Sequence, residues 1–232
     1  MTEGGLDPQV IVLPKIEGQY QIQGIGVEEG TYNIGWIQGV TSPVLMTSFT
    51  GTTIVGQFYE FTSNSTPPQE TGGQIVLEVE QFSYKTGPNN GTWQNQAILD
   101  GYVGSGYLSA LPDIDQIFTT PYTTSNPELH YAINFSTTGT YYIWLRGYAP
   151  NAAGDSIYLN LDNQSVTTLT GFIPRVWSWA GKPDNAQGIP VTVEVMTPGL
   201  HILHIWQRED GLRLDQILLT TNGSYNPNDG GP

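Results

Sequence analysis

Two glutamates stand two apart in the run Ile75-Val76-Leu77-Glu78-Val79-Glu80. On an extended strand alternate side chains share a face, so both carboxylates are expected to project the same way. Like charges so placed repel unless a cation or water separates them. A hard cation such as Ca²⁺, which gathers carboxylate, carbonyl and water oxygens without strict geometry, suits such a pair, and a hydrated strand face is the plain alternative. A second set is aromatic. Trp177 and Trp179, Trp93, Tyr102 and Tyr107 fall in segments rich in Gly, Ser and Thr. Aromatic faces on loops of a rigid scaffold can stack against sugar rings, with Asn, Gln, Asp and Arg bonding the hydroxyls. Arg208 and Asp210, flanking Glu209 just before a glycine, are candidates for that polar role, although the segment also reads as a hairpin turn. Trp144 and Trp206 sit inside apolar runs and are expected to pack in the core.

Other signals carry less chemistry. His201 and His204 are three apart, a spacing that sends strand side chains to opposite faces, so this pair is not expected to share a metal. No Gly-x-Ser-x-Gly elbow accompanies the serines, and Asp113 with Asp115 has no identifiable partner across a cleft. Gly24-x-Gly26 and Gly104-x-Gly106 lack a following helical pattern and are not phosphate cradles. The chain therefore reads as a protein without catalytic activity.

The elements that must position these residues read as strands. Apolar or alternating runs recur between Gly, Pro, Asn and Ser punctuation, and helical periodicity is nearly absent. Strands are expected near 9–13, 20–27, 32–38, 43–49, 53–61, 75–84, 128–135, 139–148, 156–161, 189–196, 199–207 and 213–220. That pattern implies an all-β fold, a jelly-roll β-sandwich preceded by a smaller β-rich unit. The dense turn cluster at 63–73 reads as a linker between a unit at 1–62 and a sandwich at 74–222, with a flexible tail at 223–232.

Composition bounds the partners. The 232 residues include 7 Lys+Arg against 21 Asp+Glu, a formal net charge of -14, and only 12% of residues are charged. A chain so poor in cations cannot neutralise a phosphate backbone, which excludes nucleic acid and disfavours an anionic membrane surface. No apolar run approaches the roughly 18 residues of a spanning helix, so membrane insertion is not expected. With no cysteine, disulfides, thiolate zinc sites and thiol catalysis are excluded as well. The surface must be built from uncharged Thr, Ser, Asn, Gln and Gly, a composition that points to an extracellular or cell-surface location.

From residue 74 onward the order of features resembles the β-sandwich carbohydrate-binding modules of families 6 and 35, and the related C-terminal modules of some large glycoside hydrolases. The carrying pieces are the Glu78/Glu80 strand, the Trp93 loop, Gly101-Tyr102-Val103-Gly104-Ser105-Gly106-Tyr107-Leu108 and the strand at 129–135. They continue with Gly139-Thr140-Tyr141-Tyr142-Ile143-Trp144-Leu145-Arg146, Tyr158-Leu159-Asn160-Leu161-Asp162, Trp177-Ser178-Trp179 and the closing Leu214-Asp215-Gln216-Ile217. The resemblance implies a structural calcium held by Glu78, Glu80 and, from the last strand, Asp215. It also implies non-catalytic binding of a polysaccharide or glycan through the loop aromatics, and the low charge suits a neutral one. A second reading is a structural or adhesive subunit of a filament or surface layer. Copies would then assemble by strand exchange through the N-terminal unit, with Gln9-Val10-Ile11-Val12-Leu13-Pro14 as donor strand.

Overall fold

The structure is a computed structural model that describes residues 21–25, 30–37, 46–53, 57–62, 67–88, 92–121, 126–183 and 190–229. The segment at 9–14 lies outside these residues. In chain order the strands are β1 (Gln21–Ile25), β2 (Gly30–Ile37), β3 (Met46–Thr53), β4 (Gln57–Thr62), β5 (Gln74–Glu78) and β6 (Tyr84–Pro88). They continue with β7 (Thr92–Gln96), β8 (Tyr107–Leu111), β9 (Glu128–Phe135), β10 (Gly139–Tyr148), β11 (Ile157–Leu161) and β12 (Thr167–Thr170). The last are β13 (Ser178–Ala180), β14 (Lys182–Pro183), β15 (Thr192–Val195), β16 (Gly199–Gln207) and β17 (Arg213–Thr220).

Two antiparallel sheets carry the fold. One runs β1-β4-β6-β9-β16-β11-β12-β14; the other runs β13-β10-β17-β8-β7, with β15 also on β10 and β5 also on β17. The all-β sandwich expected from the strand pattern is what forms. Alternation decides which face is buried. Along β10, Tyr141, Ile143 and Leu145 are fully buried while Tyr142, Trp144, Arg146 and Tyr148 face the other way. Leu129, Tyr131, Ile133 and Phe135 of β9 and Leu203 and Ile205 of β16 join them in one continuous core. Each such Leu or Ile contributes about 1.5–3 kcal/mol on burial, which fixes the register of every central strand.

Two of the described strands before residue 63 join this sheet. β4 pairs with β6 and β1 with β4, so these two strands widen the eight-stranded sheet, while β2 and β3 pair with each other in a separate two-stranded sheet. Residues 67–73, read above as linker, are tied down for a physical reason. The Glu70 N–H donates to the Asn134 carbonyl, and the buried Glu70 carboxylate accepts from the Gly73 N–H and from Ser136. The tail read as flexible is docked through residue 229, where Asn228 exchanges hydrogen bonds with the Trp179 backbone, both at 3.3 Å.

Candidate functional site

The first and last strands of the sandwich lie side by side, with Glu78 of β5 opposite Gln216 of β17. The β17 register against β10 slips between Arg146 and Gly147, which face Gln216 and Leu214 and leave Asp215 as the extra residue of a bulge. A bulge re-aims a side chain. Here it turns a fully buried carboxylate toward the loop at 101–106. Asp215 accepts the Val103 N–H at 3.1 and 3.2 Å and pairs with the Arg146 guanidinium, whose other nitrogen donates to the Gly101 carbonyl at 2.9 Å. One carboxylate thus holds both the loop and the arginine.

The two glutamates reach the same loop by a different route from the one expected. β5 ends at Glu78, and Val79–Gln81 turns as a 3-10 helix, so Glu80 does not share a strand face with Glu78. The turn is favoured because the Gln81 side chain accepts the Glu78 N–H at 3.3 Å. Glu78 Oε1 accepts from Gln216 at 2.8 Å, and Glu80 Oε1 accepts from Ser105 at 3.1 Å. Their second oxygens, Glu78 Oε2 and Glu80 Oε2, are buried without a hydrogen-bond partner. Gly104, at φ +72°, lets the loop pass against Glu78; a Cβ there would lie 2.9 Å from Oε2. Burial raises the Glu80 carboxyl against the hydrogen bonds that lower it, and the charges of Glu78 and Asp215 add to the rise. Burial likewise lifts Asp215 to about 6, opposed by Val103 and Arg146 and assisted by Glu78.

Beside this cluster the aromatics sort by burial. Trp177 is half-buried at the rim, its Nε1 donating to the Asp100 carbonyl at 2.9 Å. The Arg146 guanidinium lies over its ring at 5.4 Å, Tyr107 meets it edge-on at 5.3 Å, and Tyr148 is tilted against it at 5.6 Å. Tyr102 is half-exposed and packs on Tyr107, which is fully buried and accepts the Leu99 N–H through its hydroxyl. Arg213 covers the Tyr148 ring. Val103, Ile173 and Val176 stand exposed on the loops that carry Tyr102 and Trp177.

Other expected contacts are placed elsewhere. Trp93 is wholly inside the core, because alternation along β7 turns it inward. Trp179 is buried against the docked tail. Asp210 is a buried loop anchor that accepts the Ile114 and Gln116 N–H groups at 2.7 and 3.0 Å. Arg208 bonds Ser156 and Glu209 and lies over Tyr158. Trp206 is buried as expected, but on the outer side of the eight-stranded sheet beside His204, its ring parallel to the imidazole within 4°.

Sequence reading missed three participants at the rim: Arg146, Tyr148 and Asp100. Arg146 and Tyr148 were legible as alternate residues of β10, two apart and therefore on one face. It also missed a cluster on the outer face of the eight-stranded sheet. Glu128 Oε1 lies 3.0 Å from both His130 Nε2 and His204 Nδ1. Burial acts to raise the Glu128 carboxyl, but the two imidazoles outweigh it and hold it at about 2. The signal was Glu128-x-His130 on one strand, with His204 opposite on the next.

A two-sheet β-sandwich with an aromatic, arginine and carboxylate cluster at its loop end is an all-β scaffold domain. Its family follows from a match over residues 69–232: the chain belongs to the glycosyl hydrolase family 115 C-terminal domain. A curated relative, an uncharacterized protein P23 of Formosa agariphila, is 28% identical over 198 residues, covering 71% of this chain and 48% of that protein. The chain thus spans about half the length of the curated relative it matches. Similar solved structures include carbohydrate-binding modules. The C-terminal family 6 module of a marine laminarinase from Zobellia galactanivorans is 17% identical, covering 64% of this chain and 99% of that one at TM-score 0.44. A family 35 module from Clostridium thermocellum is 12% identical, covering 63% and 96% at TM-score 0.43.

Proposed function

We propose that this domain is a non-catalytic carbohydrate-binding domain that acts outside the cell or at its surface. The observation that carries the reading is the Trp177 rim. A half-buried indole is held in place by Asp100 and flanked by Tyr148, Tyr107 and Arg146, with Tyr102 packed on Tyr107, beside exposed Val103 and Val176. Such a surface offers an apolar face for a sugar ring and polar groups for its hydroxyls. Membership of a glycosyl hydrolase C-terminal family supports the same reading. Its ligand is a polysaccharide or glycan, and retention on a panel of polysaccharide affinity gels tests it. The wild-type domain is retained on at least one and Trp177→Ala on none. A wild-type domain that migrates freely through every gel overturns the reading.

The residues present fit a structural calcium. Glu78 Oε2 and Glu80 Oε2 are buried and unpartnered, and hard oxygens are the donors this cation takes. Glu78 and Glu80 would hold it; Asp215, engaged by Arg146 and Val103, is positioned to anchor the loop rather than to give both oxygens to the ion. The ion would offset the repulsion among three clustered carboxylates and tie β5 to the loop at 101–106. Added Ca²⁺ is expected to raise the melting temperature of EDTA-treated protein, and Glu78→Gln to abolish that rise. Identical melting with Ca²⁺ and with EDTA overturns this assignment.

A further inference from the structure

The outer face of the eight-stranded sheet carries a second constellation of different chemistry. Glu128 and His130 are two apart on β9 and so share a face; His204 of β16 is the register partner of His130. Three side chains from two adjacent central strands therefore converge with no loop involved. We infer that Glu128, His130 and His204 form a binding site for a divalent transition-metal ion of the zinc class.

Donor spacing carries the inference. The three donor atoms lie within 4.8 Å of one another, and Glu128 Oε1 is 3.0 Å from each imidazole nitrogen. Ligands bonded tetrahedrally at about 2.0–2.1 Å stand roughly 3.3 Å apart, close to both Glu128–imidazole separations. Hydrogen bonding within the cluster leaves a remainder. His204 Nδ1 is bonded to Glu128 at 3.0 Å, yet His130 Nε2 is buried and has no aligned hydrogen-bond partner despite its closeness to the same oxygen. Each ring nitrogen, once free of any proton it carries, is an imidazole donor of the kind a metal takes.

The rings are held in position before any ion arrives. Tyr84 meets His130 edge-on at 4.7 Å, the two imidazoles pack at 4.6 Å, and His204 lies parallel to Trp206. The side chains are 17–20% exposed, which leaves room for a solvent ligand in a fourth position. Two imidazoles and one carboxylate select Zn²⁺, Co²⁺, Ni²⁺ or Cu²⁺ over Ca²⁺, whereas the Glu78/Glu80 pair offers oxygen alone. The two sites therefore sort cations by ligand chemistry within one domain. Among the described residues no other group of three His, Asp or Glu brings its donors this close.

Titration of the metal-free domain with Zn²⁺ in millimolar Ca²⁺, followed by calorimetry, tests the site, with Co²⁺ as a visible-absorption probe. One ion per chain is expected, with Co²⁺ bands of low-coordinate geometry. His204→Ala is expected to weaken binding by about 100-fold or more, since even outer-shell losses cost 10–100-fold. His201→Ala, on the opposite side of β16, is expected to bind as the wild type does. Zn²⁺ affinity that is absent in the wild type, or equal in His204→Ala, overturns the site. Should that variant not fold, imidazole nitrogen NMR of the wild type decides. Zn²⁺ must shift His130 and His204 and leave His201 in place; uniform or absent shifts overturn the inference.

Discussion

The loop rim around Trp177 and the sheet face around His130 are built by opposite means. At the rim, β-bulge, loop and indole converge on one buried carboxylate, Asp215, which holds Val103 and Arg146, while Arg146 holds Gly101 and covers Trp177. On the sheet face the two imidazoles owe their places to strand register and ring neighbours, and Glu128 lies between them without holding any loop. Loss of one side chain should therefore spread through the rim and stay local on the sheet.

Asp215→Ala breaks this comparison hardest. It strands Arg146 without its charge partner and frees the loop at 101–106, so a loss of about 3–5 kcal/mol is expected, read from denaturant unfolding. His204→Ala removes a partly exposed ring, and a cost near 1 kcal/mol, typical of such sites, is expected. Equal costs at the two positions would show that the rim is not held by one anchor. Trp177→Ala comes next. With folding intact by circular dichroism, glycan affinity should fall about tenfold or more, the size of a central aromatic contact. Gly101→Ala is smaller and sharper. Its backbone sits at φ +98°, and a Cβ would lie 2.8 Å from Trp177 Cδ1, so the indole must move. Stability should fall by about 1 kcal/mol or more, with affinity declining in step. Unchanged affinity would detach Trp177 from ligand binding.

The two regions were also unequally legible. Strands at 128–135, 139–148, 199–207 and 213–220 stand where alternation puts them, because each has one face in the core. Short strands such as β7, β12 and β13 were missed: three to five residues at or next to a sheet edge carry too little alternation to be seen. The run through Glu78 and Glu80 read as one strand because a 3-10 turn keeps the same apolar spacing over so few residues. Which of six tryptophans faces solvent depends on the partner sheet, so Trp93 and Trp177 could not be told apart from loop composition. The His130–His204 pair was hidden because pairing of β9 with β16 joins residues 74 positions apart, and the spacing of His201 to His204 drew attention to the wrong pair.

His201 gives the finest test, since it shares β16 with His204 but belongs to neither site. Its Nδ1 lies 2.6 Å from Asp162 Oδ2 and its Nε2 2.8 Å from the Thr197 carbonyl, while Asp162 Oδ1 accepts the Ile202 N–H. Burial acts to lower the imidazole, but the Asp162 carboxylate and the Thr197 carbonyl outweigh it and raise its pKa. The folded state therefore binds the proton more tightly than the unfolded chain. The stability this adds is fully present below the unfolded value of about 6.5 and is lost as pH rises through the higher folded value. Asp162 is partly exposed, so solvent screening keeps the effect below ~1 kcal/mol. The gap in melting temperature between wild type and His201→Gln should be widest near pH 5.5 and shrink above neutrality. A gap independent of pH would mean that His201 serves β16 by packing on Phe135 alone, and that the charged contacts of this strand all lie on its outer face.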